Sequence, residues 1–178
     1  YFKSKLTCRR SRRILYRALE LKHMDNVKFF EQLNISIGLA TEKDIIEIVR
    51  LQQENLAPNV SVEEKQEQGF VSVETSEQLL KEIIEQEGII VARLEGKVVG
   101  YLIPMSVEHT IQQVSMLDPF IKKLQTLTFE NKPLKDYKYC ILTQVCVDKK
   151  YRGQGILEKL YHELKTRLSD KYELGVSE

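Results

Sequence analysis

Residues 139–168 show the clearest change of hydrophobic pattern along the chain. The first part, YCILTQVCV, is mostly apolar and rich in β-branched side chains, which predicts a strand buried on both faces. Further on, apolar residues recur at helical spacing opposite a charged face, which predicts an amphipathic helix. A basic turn with two glycines, Gly153 and Gly155, joins the two segments. The apolar helix positions are Ile156, Leu157, Leu160, Tyr161, Leu164 and Leu168.

This predicted turn has the properties of an anion-binding site. The first N–H groups of a helix have no partner within the helix, and the helix dipole adds partial positive charge. Gly153 and Gly155 remove side chains that would obstruct a phosphate, while Arg152, Lys149 and Lys150 add charge. On the glycines alone, an ordinary tight turn is the better explanation. The pattern is not a Walker P-loop, nor G-x-G-x-x-G, whose third glycine is replaced here by glutamate.

The N-terminal half contains a second strand–helix boundary. Residues 35–40 alternate between apolar and polar or small residues, which predicts a first strand. Thr41 and Asp44 resemble a capping box, and the helix that follows should stop before Pro58. Residues 59–73 are polar and predict a loop, with one packing point at Gly69 and Phe70.

Another predicted helix, a hairpin and a long connection follow. Thr75 and Gln78 form a second capping-box pattern, and that helix should end at Gly88. Residues 89–103 predict a hairpin with its turn at 95–97. Residues 104–139 are too many for a plain loop in a compact domain. Asp118 and Pro119 predict the N-cap and first residue of a short helix there.

Composition and charge narrow the classes of function. The 178 residues are 42% hydrophobic and 30% charged, which predicts one globular domain with a real core. The longest uncharged runs, such as residues 98–107, are far shorter than the ~20 apolar residues of a membrane span. Residues 1–23 are strongly basic, although the whole chain has a net charge of +1. The remainder is therefore mildly acidic, which argues against a nucleic-acid partner.

Two further expectations concern the N-terminus and the cysteines. We expect Met24 to be the native start and residues 1–23 to lie outside the fold; a basic nucleic-acid-binding arm is the alternative. Three cysteines without C-x-x-C indicate a reducing, cytoplasmic setting. Cys140 and Cys146 lie in the predicted buried strand and are expected to be core residues rather than a catalytic thiol.

The sequence QVCVD at 144–148, followed by YRGQGIL at 151–157, resembles the central motif of the GNAT superfamily of acyl-CoA-dependent N-acyltransferases. The signature Gln/Arg-x-x-Gly-x-Gly/Ala departs only in its last position, which is leucine here. The resemblance implies that Val145 and Val147 pair with the pantetheine arm and that the turn holds the pyrophosphate. The signature positions are Arg152, Gly153, Gln154, Gly155, Ile156 and Leu157.

The resemblance also implies a fold. We expect an α/β (α+β) protein with a central mixed, mostly antiparallel sheet flanked by helices, and an inserted helical segment between the third and fourth strands. The domain should comprise residues 24–178 and be truncated in the fifth strand, which begins near Tyr172. The insert should contribute to the acceptor pocket; a packing or dimer contact is the alternative.

The implied function is acetyl transfer from acetyl-CoA to a primary amine, with no metal, nucleic acid or membrane involved and with a homodimer left open. A non-catalytic CoA-binding or sensing domain is the alternative, because no general base is evident. Several family members carry a carboxylate on the fourth strand, where this chain has Thr143 and Gln144. Gln144 and Glu178 are weak catalytic candidates, and Glu108 and His109 of the insert would act through water.

Overall fold

The computed structural model describes residues 34–113 and 117–177, together with the backbone of residues 17–20. The chain divides into two compact units. We call Asn26–Ile103 with Gln144–Glu163 the major unit, and Tyr1–Asp25, Pro104–Thr143 and Leu164–Glu178 the minor unit. The described elements are β1 (Arg17–Glu20), β2 (Ile35–Leu39), α1 (Ile45–Asn55), α2 (Val62–Gln68), α3 (Glu77–Gln86), β3 (Ile90–Leu94), β4 (Lys97–Ser106), α4 (Val107–Gln113), α5 (Asp118–Leu124), β5 (Thr128–Phe129), β6 (Lys132–Pro133), β7 (Tyr139–Val147), α6 (Ile156–Leu168) and β8 (Leu174–Ser177).

The major unit contains the predicted hairpin. β3 pairs antiparallel with β4, and the two residues between them, Glu95 and Gly96, both have positive φ, at 50° and 81°. β2 pairs antiparallel with β3 on the other side, from Ile35 opposite Leu94 to Leu39 opposite Ile90. β7 lies next to β4. The hairpin and the first strand are therefore confirmed.

The predicted capping box is also present, on the 3₁₀ turn Glu42–Asp44 that leads into α1. Thr41 donates to Asp44 Oδ2 from its backbone N–H at 2.7 Å and from its hydroxyl at 2.9 Å. Arg93 of β3 donates to the same carboxylate at 2.9 Å and 2.6 Å. This partly buried ion pair ties the start of α1 to the sheet.

Two predictions for residues 59–78 are wrong. The predicted loop contains α2, a helix with no buried residue, which the hydrophobic pattern cannot reveal. Its signal is the capping box of Ser61, which accepts from the N–H of Glu64 at 3.2 Å. The N-cap of α3 is Ser76 rather than Thr75. Thr75 is buried instead, because Gln52 and Gln144 bind it.

Gly100 of β4 allows the start of α6 to approach the sheet. A Cβ there would stand 3.2 Å from the Cys146 carbonyl oxygen and 3.2 Å from Ile156 Cγ2. Any larger residue would push α6 outward or distort β7. Gly100 thus fixes the position of the first turn of α6 over the sheet.

The minor unit contains the predicted insert and fifth strand. β7 pairs parallel with β8 from Tyr139 opposite Leu174 to Ile141 opposite Val176. The insert folds as α4, α5 and the short β5–β6 hairpin, and α5 begins one residue before the predicted position, at Asp118. A buried apolar cluster unites insert and strands; it comprises Ile121, Leu124, Leu127, Phe129, Leu134, Tyr139, Ile141, Leu174 and Val176.

One strand lies in the segment that was expected to be outside the fold. β1 pairs antiparallel with β8, from Arg17 opposite Ser177 to Glu20 opposite Leu174. Backbone pairing to a strand edge needs no particular side-chain pattern, so a basic segment can supply it. The remainder of residues 1–23 lies outside the described residues. No helix in the described part of the chain is long and apolar enough to cross a bilayer.

We expect Asp44→Asn to lower the free energy of unfolding by about 1–3 kcal/mol at pH 7, because it leaves Arg93 without its carboxylate. Burial disfavours the charged form, yet hydrogen bonds from Arg93 and Thr41 hold the pKa of Asp44 below its ordinary value. A lowered pKa stabilises the fold above the ordinary value of about 3.9 and loses that effect as the pH falls through the folded-state pKa. Denaturant unfolding at several pH values should show wild type and variant converging in acid.

Glu42→Gln is the matched control. Glu42 pairs with Lys81 at 3.3 Å on the surface, so its loss should change stability by less than about 1 kcal/mol. Equal effects of the two substitutions would contradict the structural role of Asp44.

Candidate functional site

The glycine turn between β7 and α6 has the conformation that its glycines permit. Gly153 and Gly155 both have φ of 74°, in the left-handed region that side chains disfavour. A Cβ on Gly153 would meet nothing within 4 Å, so this glycine is required for conformation and leaves space above the turn. A 3₁₀ turn, Lys149–Tyr151, precedes it, capped by Asp148, which accepts from the Lys150 N–H at 3.0 Å. The first N–H groups of α6 are thereby presented at the surface of the turn.

A cavity of about 440 Å³ opens at this turn, and all its lining residues belong to the major unit. Seven of the eight residues predicted to bind the cofactor line it; the eighth, Gln154, donates instead to the Lys150 carbonyl at 3.4 Å. The lining residues are Asn55, Gln68, Gly69, Phe70, Val71, Val145, Cys146, Val147, Tyr151, Arg152, Gly153, Gly155, Ile156, Leu157 and Glu158.

The backbone N–H and C=O groups of Val145 and Val147 point to the edge of β7 that lies away from β4. The Asp148 N–H donates to Val99 of β4 at 2.9 Å, and the Cys146 carbonyl lies beside Gly100 of the same strand. Backbone groups alternate between the two edges of a strand, so those of Val145 and Val147 point to the opposite edge. Val145 is also 37% exposed, which leaves that edge accessible to an extended ligand.

Arg152 is turned back into the protein. Its Nε donates to the Val147 carbonyl at 3.0 Å, and its two terminal nitrogens donate to Asn55 at 2.6 Å and to Gln68. All three acceptors are neutral oxygens, and no ion pair of Arg152 occurs among the residues that the structure describes. The cavity therefore holds a cationic group whose charge is not neutralised by a directly paired carboxylate.

Helix α1 anchors the turn at both ends. Arg50 lies 3.7 Å from the carboxylate of Asp148, which caps the 3₁₀ turn, and it also donates to the Val98 carbonyl at 3.4 Å. Asn55, at the other end of α1, accepts from Arg152 and lines the cavity. The left-handed turn is thus fixed by side chains from outside its own sequence.

The weak catalytic candidates lie away from the cavity lining or outside the described residues. Gln144 is 8% exposed and donates to the Val73 carbonyl at 2.6 Å and to Thr75 Oγ1 at 2.7 Å. Its carbonyl oxygen accepts from the Tyr101 hydroxyl at 3.0 Å. Gln144 therefore fastens β7 to the segment before α3. Glu178 falls outside the described residues, and Glu108 and His109 lie in α4 of the minor unit.

One wall of the cavity, formed by Asn55, Gln68 and Val71, is not predicted by the sequence. Asn55 ends α1, and Val71 exchanges backbone hydrogen bonds with Asn55 and Ala57 at 2.8 Å and 3.0 Å. Phe70, predicted as a packing point, is 50% exposed and contributes to the wall. These residues are distant in sequence from the turn, and no local pattern marks them.

Cys146 lines the cavity as a buried thiol. Its sulfur lies 4.0 Å from the Leu51 carbonyl oxygen, to which it donates. Burial raises the pKa of the Cys146 thiol to about 11, and the nearby Arg152 cation opposes this only in part. The thiol is therefore protonated at neutral pH, as expected of a core residue. No group of His, Cys, Asp and Glu side chains suited to a metal ion occurs within residues 34–113 and 117–177.

The end of a strand, a left-handed glycine turn and a helix start thus line one cavity. The family model described as "Acetyltransferase (GNAT) family" matches residues 48–177. The chain belongs to this family, whose members use an acyl-CoA cosubstrate.

Of three solved structures to which the chain is similar, the first has a TM-score above 0.5 and supports the fold. A point mutant of the BH1408 protein from Bacillus halodurans is 19% identical, with a TM-score of 0.51 and 80% of each chain covered. A ribosomal-protein-alanine N-acetyltransferase from Brucella melitensis biovar Abortus 2308 is 14% identical, covering 77% of this chain and 73% of its own, with a TM-score of 0.44. An aminoglycoside acetyltransferase from an uncultured soil metagenomic sample is 21% identical, covering 79% and 74%, with a TM-score of 0.44. No curated protein matches the chain.

We expect Cys146 to resist alkylation in the folded protein. With a pKa of about 11, its thiolate fraction at pH 8 is on the order of a hundredfold below that of an ordinary thiol with a pKa of about 8.5. Peptide mass spectrometry after timed exposure to iodoacetamide should show slow labelling that accelerates as the pH rises. Labelling at the rate of the denatured chain would contradict this assignment.

Proposed function

We propose that this protein transfers an acetyl group from acetyl-CoA to a primary amine. The proposal rests on one observation. The start of α6, the glycine turn and the free-edge residues of β7 line the same cavity. These surfaces suit the phosphate and amide parts of one elongated ligand.

The turn would hold the pyrophosphate. The N–H groups at the start of α6 point at an anion without needing any side chain, and the helix dipole favours negative charge there. Gly153 leaves open space where a side chain would stand. Arg152 adds a positive charge at the cavity wall without a carboxylate bound to it among the described residues.

The free edge of β7 would hold the pantetheine arm and the thioester. Extended ligands bind strand edges through backbone hydrogen bonds. The Val147 carbonyl already accepts from Arg152, so Val145 has the less occupied backbone of the two. A backbone N–H at this edge would polarise the thioester carbonyl and stabilise the oxyanion as the amine attacks. The products are the acetylated amine and the CoA thiol.

A non-catalytic CoA-binding or sensing domain is the second candidate. It is favoured by Gln144, which occupies the strand where several family members carry a carboxylate and has both amide hydrogens engaged in structural bonds. Glu158 is the only carboxylate among the cavity-lining residues, and it lies at the helix start rather than on β7. Binding of acetyl-CoA without turnover of any amine would support this candidate.

We further propose that the protein is cytoplasmic, and its cysteines support this location. Cys140 and Cys146 are both buried free thiols. Proteins from oxidising compartments more often pair such residues in disulfides.

We expect Gly155→Val to abolish measurable binding of acetyl-CoA, because a branched side chain in the left-handed region strains the turn and obstructs the helix start. Arg152→Ala should weaken binding less, by about tenfold or below, because it removes one charged contact. Calorimetric titration measures both affinities.

The control for backbone strain is Gly96→Val. Gly96 has a φ of 81° in the hairpin turn and does not line the cavity. This variant should lose stability, as Gly155→Val does, but should keep its affinity for acetyl-CoA. Unchanged affinity in Gly155→Val would contradict the assigned site.

The acetyl-transfer proposal is tested with a panel of primary amines. We expect acetyl-CoA and at least one amine to yield free CoA thiol and an acetylated product, measured by a thiol reagent and by mass spectrometry. Gly155→Val should be inactive, whereas Gly96→Val should remain active. Tight binding of acetyl-CoA with no product from any amine would favour the sensing domain.

A further inference from the structure

Helix α2 is held to the rest of the major unit by polar contacts. None of its seven residues is buried, and Val62 at its start is 62% exposed. Burial of apolar side chains is the usual anchor of a short helix, since few isolated helices of this length are stable in water. The stability of α2 in its observed place must therefore come from its capping box and from side chains that reach it from elsewhere.

Two of those side chains come from the predicted cosubstrate turn. Lys149 pairs with Glu64 at 2.7 Å, and Arg152 donates to Gln68 at the end of α2. Glu64 and Gln68 are four residues apart, so they lie on one face of α2, about one helical turn or 5.4 Å from each other. The two cationic groups are therefore close together, and Arg152 lines the cavity.

The residues that follow α2 form one wall of the cavity. Gln68, Gly69, Phe70 and Val71 all line it. Val71 is fixed by backbone hydrogen bonds with Asn55 and Ala57, and the part before it is contacted by Lys149 at Glu64 and by Arg152 at Gln68. The position of this wall is thus coupled to the charge balance at the turn.

We propose that Lys149 and Arg152 are shared between α2 and the phosphates of the acyl-CoA cosubstrate, so that cosubstrate binding releases α2 from the turn. The inference rests on the proposed function, which places those phosphates at the turn. A phosphate group carries more negative charge than one carboxylate and accepts several charge-assisted hydrogen bonds. It therefore competes with Glu64 for Lys149 and with the neutral Gln68 for Arg152.

This competition affects both the affinity for the cosubstrate and the cavity wall. The cosubstrate loses affinity because it must displace Glu64 and Gln68 before it gains both cations. In return, the wall that contains Phe70 loses its contacts to Lys149 and Arg152 once acyl-CoA is bound. Glu64 is then a residue that sets cosubstrate affinity without touching the cosubstrate.

Calorimetric titration of acetyl-CoA into the full chain at low ionic strength tests the sharing of Lys149. Glu64→Gln should bind acetyl-CoA about two- to fivefold more tightly than Glu63→Gln, the range expected from one exposed ion pair. Glu63 is the matched control because it lies on the same helix, undergoes the same change of charge and has no ion pair in the described part of the chain. In a Lys149→Ala background, the gain from Glu64→Gln should disappear.

Amide hydrogen exchange tests the release of α2. Acetyl-CoA should accelerate exchange in residues 62–70, whereas S-acetylpantetheine, which lacks the nucleotide phosphates, should not. Equal affinities of Glu64→Gln and Glu63→Gln, a gain that persists without Lys149, or slower exchange with acetyl-CoA would each overturn the inference while leaving the proposed function intact. Failure of the wild-type chain to bind acetyl-CoA would overturn both.

Discussion

The candidate site depends on the contacts by which α1 fixes a turn that cannot fix itself. Left-handed glycines such as Gly153 and Gly155 have a large conformational entropy in the unfolded chain, so the turn needs anchors from outside. Arg50 holds its first end through Asp148, and Asn55 holds its second end through Arg152. The start of α1 is itself tied to β3 by the partly buried pair of Asp44 and Arg93. The sheet, α1 and the turn thus form one chain of polar contacts.

Gly100 supplies the complementary constraint from the apolar side. With no side chain on Gly100, Ile156 and Leu160 of α6 come close to the sheet, and the Cys146 carbonyl remains in line with β4. Because the interior of a protein is close-packed, a shift of α6 would be transmitted directly to the turn that begins it. Gly100 in β4 and Arg152 in the turn therefore both constrain the position of the turn, one through apolar packing and the other through polar contacts.

Local patterns predicted much of this fold, but not the long-range contacts. The strand, turn and helix of residues 139–168 were predicted because each has its own periodicity and the glycines separate them. Helix α2 was missed because it buries nothing, and only the Ser61 capping box marked it. The β1 strand was missed because its pairing with β8 uses the backbone.

The candidate site was predicted to a similar extent. Five of the six signature residues line one cavity, because they are adjacent in sequence, whereas Gln154 donates to the Lys150 carbonyl instead. The opposite wall could not be predicted, because Asn55 and Gln68 reach Arg152 across 97 and 84 residues of chain. The same holds for Gln144, whose role depends on Val73 and Thr75, 71 and 69 residues away.

The buried bonds of Gln144 also bear on the order in which the chain folds. They join β7 to residues 73–75 and to Tyr101, and Gln52 binds Thr75 from the other direction, 23 residues away. Contacts between such distant parts of a chain form slowly, because their loop-closure entropy is lost before they stabilise anything. Residues 73–75, the segment behind the cavity wall, can therefore reach their final position only after β7 has joined the sheet. A nascent chain that has not yet synthesised β7 contains all the residues of that segment but lacks the cavity, which forms only when the sheet is assembled.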